Sequence, residues 1–521
     1  MKRTISSWAL LFGSVSAIIG SGWLFSAFYS AKYAGPAAIL AWLIGGICVL
    51  IVAFVFAELS TMLPITASTT RIPQFTHGTI VSFLFSWIIW LAYVALAPAE
   101  VQAILQYLSF YFPQLTHTSG QLTIDGYGAA MLLMLIVSAI NVFSVHWLMR
   151  CNSILTAFKI IIPFLISITI LVIYFSPHQQ LHPANSSFAP FGLHGIVAAI
   201  TSGGIVFAFN GFKQACELAG EAKNPKRGLP IAIIGSILVS LTIYLLLQCA
   251  FLTSLSDFNL AKGWSHLQLL GSNSPMAAIT KQDNLSWMLP ILYVGAIVGP
   301  LAAAMMYTCS ASRSLYGKSK NGYLPVLLQH LNAKGNPAIA IAINFVFGMC
   351  LFAPLPGWDK MITFLTSLFA LSYAIGPITL LALRKQVPNY PRPFKLPFAT
   401  VWATLAFYLC TLMSYWSGWE IISKLSIALI AGLLILFSYY WLTDRGRQLR
   451  FHWRAATWVW IYFIGLIILS YLGSFGHGLG IIPFGWDFLV IGIFCIVVVK
   501  LSMHFTLPSH QTKLYVYQTL N

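Results

Sequence analysis

The chain has 521 residues, of which 59% are apolar and only 7% charged, and its mean hydropathy is +0.83. A soluble domain carries about 25% charged residues and needs them to cover its surface. The composition therefore excludes a cytosolic enzyme, a nucleic-acid-binding module and a disordered chain, and points to one polytopic membrane unit. The 28 Lys and Arg against 11 Asp and Glu give a net charge of +17, but most of the cations lie in short links between apolar runs, where they act as topology signals. Eight Cys lack CxxC or Cys/His spacing, so neither a metal site nor a disulfide framework is expected.

A helix crosses the hydrocarbon core with about 20 apolar residues. In chain order, about 14 spans meet that standard, near 8–30, 37–58, 80–110, 126–148, 152–175, 195–215, 229–254, 286–312, 337–356, 361–383, 398–417, 420–443, 455–475 and 485–503. The first follows Met1-Lys2-Arg3 without a small-residue cleavage site and reads as a retained span rather than a signal peptide. With the N-terminus in the cytoplasm, the even-numbered links collect most Lys and Arg, including Arg71, Arg150, Arg313, Arg384 and Arg445. The bias holds to the end, which places both termini inside. Segments 112–125, 176–194 and 255–285 then face outward, the last long enough for short surface helices.

The first span is interrupted at Ile19-Gly20-Ser21-Gly22. Glycine costs about 1 kcal/mol relative to Ala inside a helix. A break at mid-membrane depth exposes backbone N–H groups that suit a carboxylate, whereas small residues there also permit close helix packing. The sixth span is interrupted as well, at Ser202-Gly203-Gly204 and Phe207-Ala208-Phe209-Asn210-Gly211. Two interrupted spans five apart match a five-plus-five inverted repeat with a binding site between them. The fold class is therefore all-α, with discontinuous helices 1 and 6, and the candidate binding residues are Ile19, Gly20, Ser21, Gly22, Phe207, Ala208, Phe209, Asn210 and Gly211.

Lys159 lies in an apolar run of the fifth span. Low-dielectric surroundings penalise its charge, so one reading is a proton-coupling site and the other a lysine that snorkels to the nearby interface. Glu100 lies deep in the third span, where it lines a cavity or pairs locally. Lys213 and Glu217, four apart, suit a local ion pair across one helical turn, while Lys213 is also near enough to the break to attract an anion. Glu58 ends the second span beside Pro64 and reads as an interfacial residue. His77, His146, His330 and His477 are isolated and read as interface residues, as do Trp8, Trp87, Trp416, Trp419 and Trp486. No Walker loop, dinucleotide fingerprint or nucleophile elbow occurs, so no enzyme activity, no metal and no cofactor is expected.

Several motifs in order give the chain a resemblance to the amino acid–polyamine–organocation permeases over about residues 8–445. They are Ile19-Gly20-Ser21-Gly22, Phe56-Ala57-Glu58-Leu59, Phe207-Ala208-Phe209-Asn210-Gly211-Phe212, Ser312-Arg313-Ser314-Leu315-Tyr316 and Leu383-Arg384-Lys385 with Arg392-Pro393-Phe394. Tyr415-Trp416-Ser417-Gly418-Trp419 and the stretch from Tyr471 to Gly480 further resemble the bacterial aspartate–proton symporters. The resemblance implies a ten-helix core in residues 1–395, helices 11 and 12 in 396–445, and two additional helices with a cytoplasmic tail in 446–521. It implies amino acid transport with the substrate held at the breaks of helices 1 and 6, and it makes Lys159 the counterpart of a proton-coupling lysine, the proton being the coupling ion. Two departures stand out: many members have Gly-Gly after the second-helix proline, where this chain has Ile65-Thr66-Ala67-Ser68-Thr69-Thr70, and Lys213 stands where many members carry an acidic residue, which argues against a cationic substrate. The reading is a plasma-membrane importer of an amino acid, acidic in character, with the lipid bilayer as its other partner and no nucleic acid; a homo-oligomer is compatible with it. The alternatives are an amino acid exchanger and, more remote, a non-transporting sensor or a membrane enzyme.

Overall fold

The computed structural model describes residues 3, 5–117, 119–143, 145–174, 187–269 and 274–520, with backbone only for 145–154 and 519–520. Arg150 and His146 therefore lie outside the described side chains, and most of the expected outer segment 176–194 lies outside the described residues. The elements in order are α1 (Ser7–Ile18), α2 (Gly22–Ala34), α3 (Ala38–Met62), α4 (Ser68–Leu108), α5 (Ile124–Phe143), α6 (Val145–Tyr174), α7 (Gly192–Thr201), α8 (Ile205–Ala208), α9 (Lys213–Glu217) and α10 (Pro225–Thr253). They continue with α11 (Asp257–Leu260), α12 (Pro275–Gln282), α13 (Leu289–Lys320), α14 (Ala338–Cys350), α15 (Trp358–Gln386), α16 (Ala399–Trp416), α17 (Trp419–Leu442), α18 (Asp444–Arg447), α19 (Trp453–Leu472), α20 (Trp486–His504) and α21 (Ser509–Leu520). Among the described residues there are isolated bridges but no strands, as expected where every backbone group must be satisfied within its own segment.

Among the described residues, 11 helical stretches are long and apolar enough to cross a membrane, and Ser7–Ile18 and Ala338–Cys350 are shorter apolar helices. Each expected span falls on helix. The tally is smaller because Gly22–Met62 runs the first two expected spans together, α14 is short, and α16 is not among the 11. The most apolar windows of α4 and α15 are wholly buried, which makes these two helices the centre of the bundle. In contrast, α6, α17 and α19 present Ile161, Ile427, Leu434 and Ile464 outward. Apolar side chains exposed on an apolar bundle are where lipid tails pack. The link 255–285 carries the short helices α11 and α12, as its polarity suggested.

Gly78, at φ +78°, divides α4 into a short helix before it and a long one after it, and a side chain there would meet the His452 ring. The short first part is fastened from the C-terminal end of the chain. Leu507 donates its N–H to the Thr76 carbonyl at 2.8 Å, and Thr512 donates to that of Phe75 at 2.8 Å. His77 is not an interface residue. It is buried, 2.9 Å from the Thr76 hydroxyl and 3.2 Å from the Ser502 carbonyl, edge-on to Trp458. Trp87 and Trp416 are likewise buried rather than interfacial, whereas Trp8 and Trp486 are exposed. Helix α17 covers Trp87, whose indole donates to the Ala428 carbonyl at 2.8 Å.

Glu58 is the larger correction. It is fully buried rather than interfacial, because Arg384 of α15 folds over it with two hydrogen bonds of 2.8 and 2.6 Å. Arg392 lies 3.6 Å away, and the Leu396 N–H donates to the same carboxylate at 2.8 Å. A carboxylate removed from water needs this many donors to be tolerated. Removing one partner of such a cluster costs about 3–5 kcal/mol. Glu58→Gln is therefore expected to lower the thermal melting temperature of the detergent-purified protein markedly, with Glu58→Leu/Arg384→Met recovering part of the loss. An unchanged melt for Glu58→Gln would remove this cluster from the account of stability.

Candidate functional site: the paired helix breaks

Helix α1 ends at Ile18 and α2 begins at Gly22. The last carbonyls of the first and the first N–H groups of the second have no partners within their own helices. Side chains from other helices supply them. Lys159 of α6 donates to the Ser16 carbonyl at 2.7 Å and to its hydroxyl at 3.2 Å. Tyr244 donates to the Ile18 carbonyl at 3.1 Å. On the other side of the break, the Ser21 N–H donates to the Glu100 carboxylate at 2.7 Å. Cation at a helix C-terminus and anion at an N-terminus is the favourable arrangement for both helix dipoles.

Lys159 does not snorkel. Its side chain is almost wholly buried, directed at α1 rather than at the interface, and within electrostatic reach of Glu100 across the break. Glu100 lies directly against Gly20, where a side chain would overlap its carboxylate. Gly20 is thus required by the close approach of α4.

The second break lies between α7 and α8, at Gly204 with φ +83°. The structure brings the two breaks into contact. Gly22 meets Ala208, and any side chain at Gly211 would strike the backbone at Ala17 and Ile18. The Asn210 side-chain oxygen accepts from the Tyr307 hydroxyl, and its carbonyl from Tyr373 at 3.4 Å. Its side-chain nitrogen is buried without a hydrogen-bond partner, as is the Ser26 hydroxyl. Leaving a buried polar group without a partner costs about 1–3 kcal/mol, a cost that a water or a polar ligand would remove. Ile19 is buried at the break, while Phe209 faces Trp42 and Tyr244 rather than its neighbour Phe207.

The expected Lys213–Glu217 pair does not form. Lys213 turns to α15, donating to the Ser372 hydroxyl at 3.1 Å above the Tyr373 ring. Glu217 accepts instead from Thr69 and, at 3.1 Å, from Tyr93. Its own carbonyl accepts from the Ala67 N–H at 3.1 Å, and Ser68 donates to the Cys216 carbonyl at 2.9 Å. Ala67 adopts φ +56° without being glycine, a conformation that L side chains rarely take. These bonds close one side of the site.

Trp358 closes the other side, and sequence reasoning missed it. Its indole donates to the Ser21 hydroxyl at 2.8 Å. Its ring stacks on Phe25 and Tyr29, at 4.6 and 5.6 Å between centroids, and meets Phe207 edge-on. Beyond it opens a cavity of about 530 Å³ lined by Tyr29, Lys32, Asp359, Trp416 and the 474–476 turn. A second cavity of about 510 Å³ lies at the 65–71 segment, past the Glu217 bonds. The pairing of two broken helices between two vestibules defines a membrane transporter rather than an enzyme.

The comparisons with known proteins give the family. A family model described as "Amino acid permease" matches residues 5–436, and the chain belongs to that family. It is 35% identical over 506 residues to the glutamate/serine transporter AimA of Bacillus subtilis, covering 95% of this chain and 93% of that protein. It is 33% identical to the aspartate-proton symporter of the same organism, covering 98% and 97%. A crystal structure of an Eremococcus coleocola manganese transporter mutant shares the fold, with a TM-score of 0.53 at 11% identity over 93% of this chain and 95% of that one. The protein is a multi-pass amino acid transporter whose partners are a small amino acid and the lipid bilayer.

Trp358 makes a direct prediction. In a cysteine-free background carrying Phe207→Cys, Trp358→Ala should speed reaction with an impermeant thiol reagent several-fold, whereas Trp358→Phe, which keeps the stacking, should change it less. Equal rates in all three proteins would show that Trp358 does not close the path.

Proposed function

We propose that this chain is a plasma-membrane symporter that imports an acidic amino acid with protons, by alternating access about the paired breaks. The observation that carries the reading is the Ser21 N–H already holding a carboxylate, that of Glu100, while Lys159 caps the other half of the same broken helix. A substrate α-carboxylate is chemically equivalent to the group now bound there. Its arrival displaces Glu100 from Ser21, and two carboxylates cannot both stay charged in a small dry site. Glu100 therefore takes up a proton as the substrate binds. Asn210 and Ser26 supply further polar contacts. Lys159 holds Ser16 while the inner side is closed; release of its proton frees α1 and lets that side open.

Lys213 and the names of the glutamate- and aspartate-carrying relatives support an acidic substrate. No cofactor takes part. The same reading takes residues 1–395 as the transport core, 396–445 as helices 11 and 12, and 446–521 as two additional helices and tail, with both termini cytoplasmic as the Lys and Arg bias suggests.

The test is uptake of labelled aspartate into proteoliposomes with and without an inward proton gradient. Gradient-driven accumulation, competed by glutamate and not by lysine, is expected for the native protein, and Lys159→Ala should lose accumulation while keeping counterflow. Exchange that ignores the gradient in the native protein would replace symport by antiport, and unchanged accumulation by Lys159→Ala would remove Lys159 from the coupling.

A further inference from the structure

The second cavity has a composition that the transport site does not explain. Its walls carry Arg71 from α4 and Arg313 and Lys320 from α13, together with Ile65, Tyr316 and Asn321. Arg313 is 3.9 Å from Glu221, and among the described residues neither Arg71 nor Lys320 forms an ion pair with a carboxylate. The carboxylates within reach, Glu221 and Glu217, both act on Arg313, so the positive charge left over in the cavity is that of Arg71 and Lys320. The cations stand on two walls, with apolar surface of Ile65 and the Tyr316 ring beside them. That pattern suits two anionic groups joined by a short hydrocarbon, one for each wall.

The cavity also sits where motion is required. Its α4 wall, residues 65–71, is the segment whose Ala67, Ser68 and Thr69 bond to Cys216 and Glu217 and close that side. Gly220 lets this segment approach so closely that a side chain there would press on the Thr66 backbone. Arg71 and the α13 cations line the same cavity, and like charges on its two walls favour their separation. A bridging dianion reverses the sign and holds them together.

We propose that this inner cavity binds a small dicarboxylate, and that its occupancy holds the inner side closed and so brakes transport. The binding stands on the cavity alone; the brake rests on the alternating-access reading above. Succinate is the probe, because it has two carboxylates but lacks the amino group of a substrate. Phosphate is the compact comparison and acetate the single-charge control.

Thermal-shift titration of the full-length protein in detergent should show saturable stabilisation by succinate and not by acetate. Lys320→Gln and, separately, Arg71→Gln should each weaken it by about tenfold, the scale of one partly exposed charge-assisted contact. Lys320 is exposed and outside the substrate site, so its substitution leaves the fold testable if Arg71→Gln does not express. Counterflow of labelled aspartate or serine should slow when succinate is sealed inside the vesicles, and Lys320→Gln should restore the rate. Absence of succinate binding, or binding that both substitutions leave unchanged, overturns the site. Stabilisation by phosphate alone overturns the dicarboxylate assignment, and binding without any slowing of counterflow overturns the brake. Failure of the proton-symport reading would appear in the uptake experiment and leave the titration unaffected.

Discussion

The structure depends on how a helix that stops in the middle of a membrane is satisfied. Water cannot reach the broken backbone at Ile19–Ser21, and each unpaired group there costs several kcal/mol in hydrocarbon. The chain answers with one cation and one anion. Lys159 takes the Ser16 carbonyl and Glu100 takes the Ser21 N–H. Both charges are themselves costly to bury, so each is held in place by the break it satisfies. This mutual dependence ties both halves of the broken helix to α4 and α6.

The closures on either side are built from different chemistry. Trp358 closes one side by stacking and a single hydrogen bond to Ser21, the residue that also holds Glu100. That sharing links the break directly to the aromatic group around Trp358. The other side is closed by a polar set in which Thr69, Tyr93 and Ala67 converge on Glu217. Rearranging either closure exchanges a few hydrogen bonds, each worth about 1 kcal/mol net, an amount that substrate or proton binding can supply.

Around this centre the remaining charges do structural work. Glu58 with Arg384 and Arg392 ties α3 to α15 and the segment after it. The last helices bind back on the bundle through His77, Trp87 and Thr512, and the turn between α19 and α20 lines the cavity beyond Trp358. Lys318 is wholly buried between the Trp87 and Trp90 rings at 4.9 and 4.8 Å, where the aromatic faces attract its charge.

The apolar runs alone determined that the chain is an all-helical membrane bundle, because a segment of about 20 apolar residues has few other stable fates. Glycines beside polar residues in two spans five apart located the paired breaks, since helix weakening is a local property. Side-chain partners were not local. Lys159 and Glu100 are 59 positions apart, and nothing in their neighbours tells that both converge on the break between α1 and α2. Glu58 read as interfacial because Arg384, its partner, is 326 residues away. Lys213 and Glu217 had the right spacing to pair, yet each met a better partner on another helix. Trp358 resembled any tryptophan at a span end until the fold set it on Ser21. The pattern of hydrophobicity along one helix is written in sequence; which polar group satisfies which broken backbone is decided only when the helices pack.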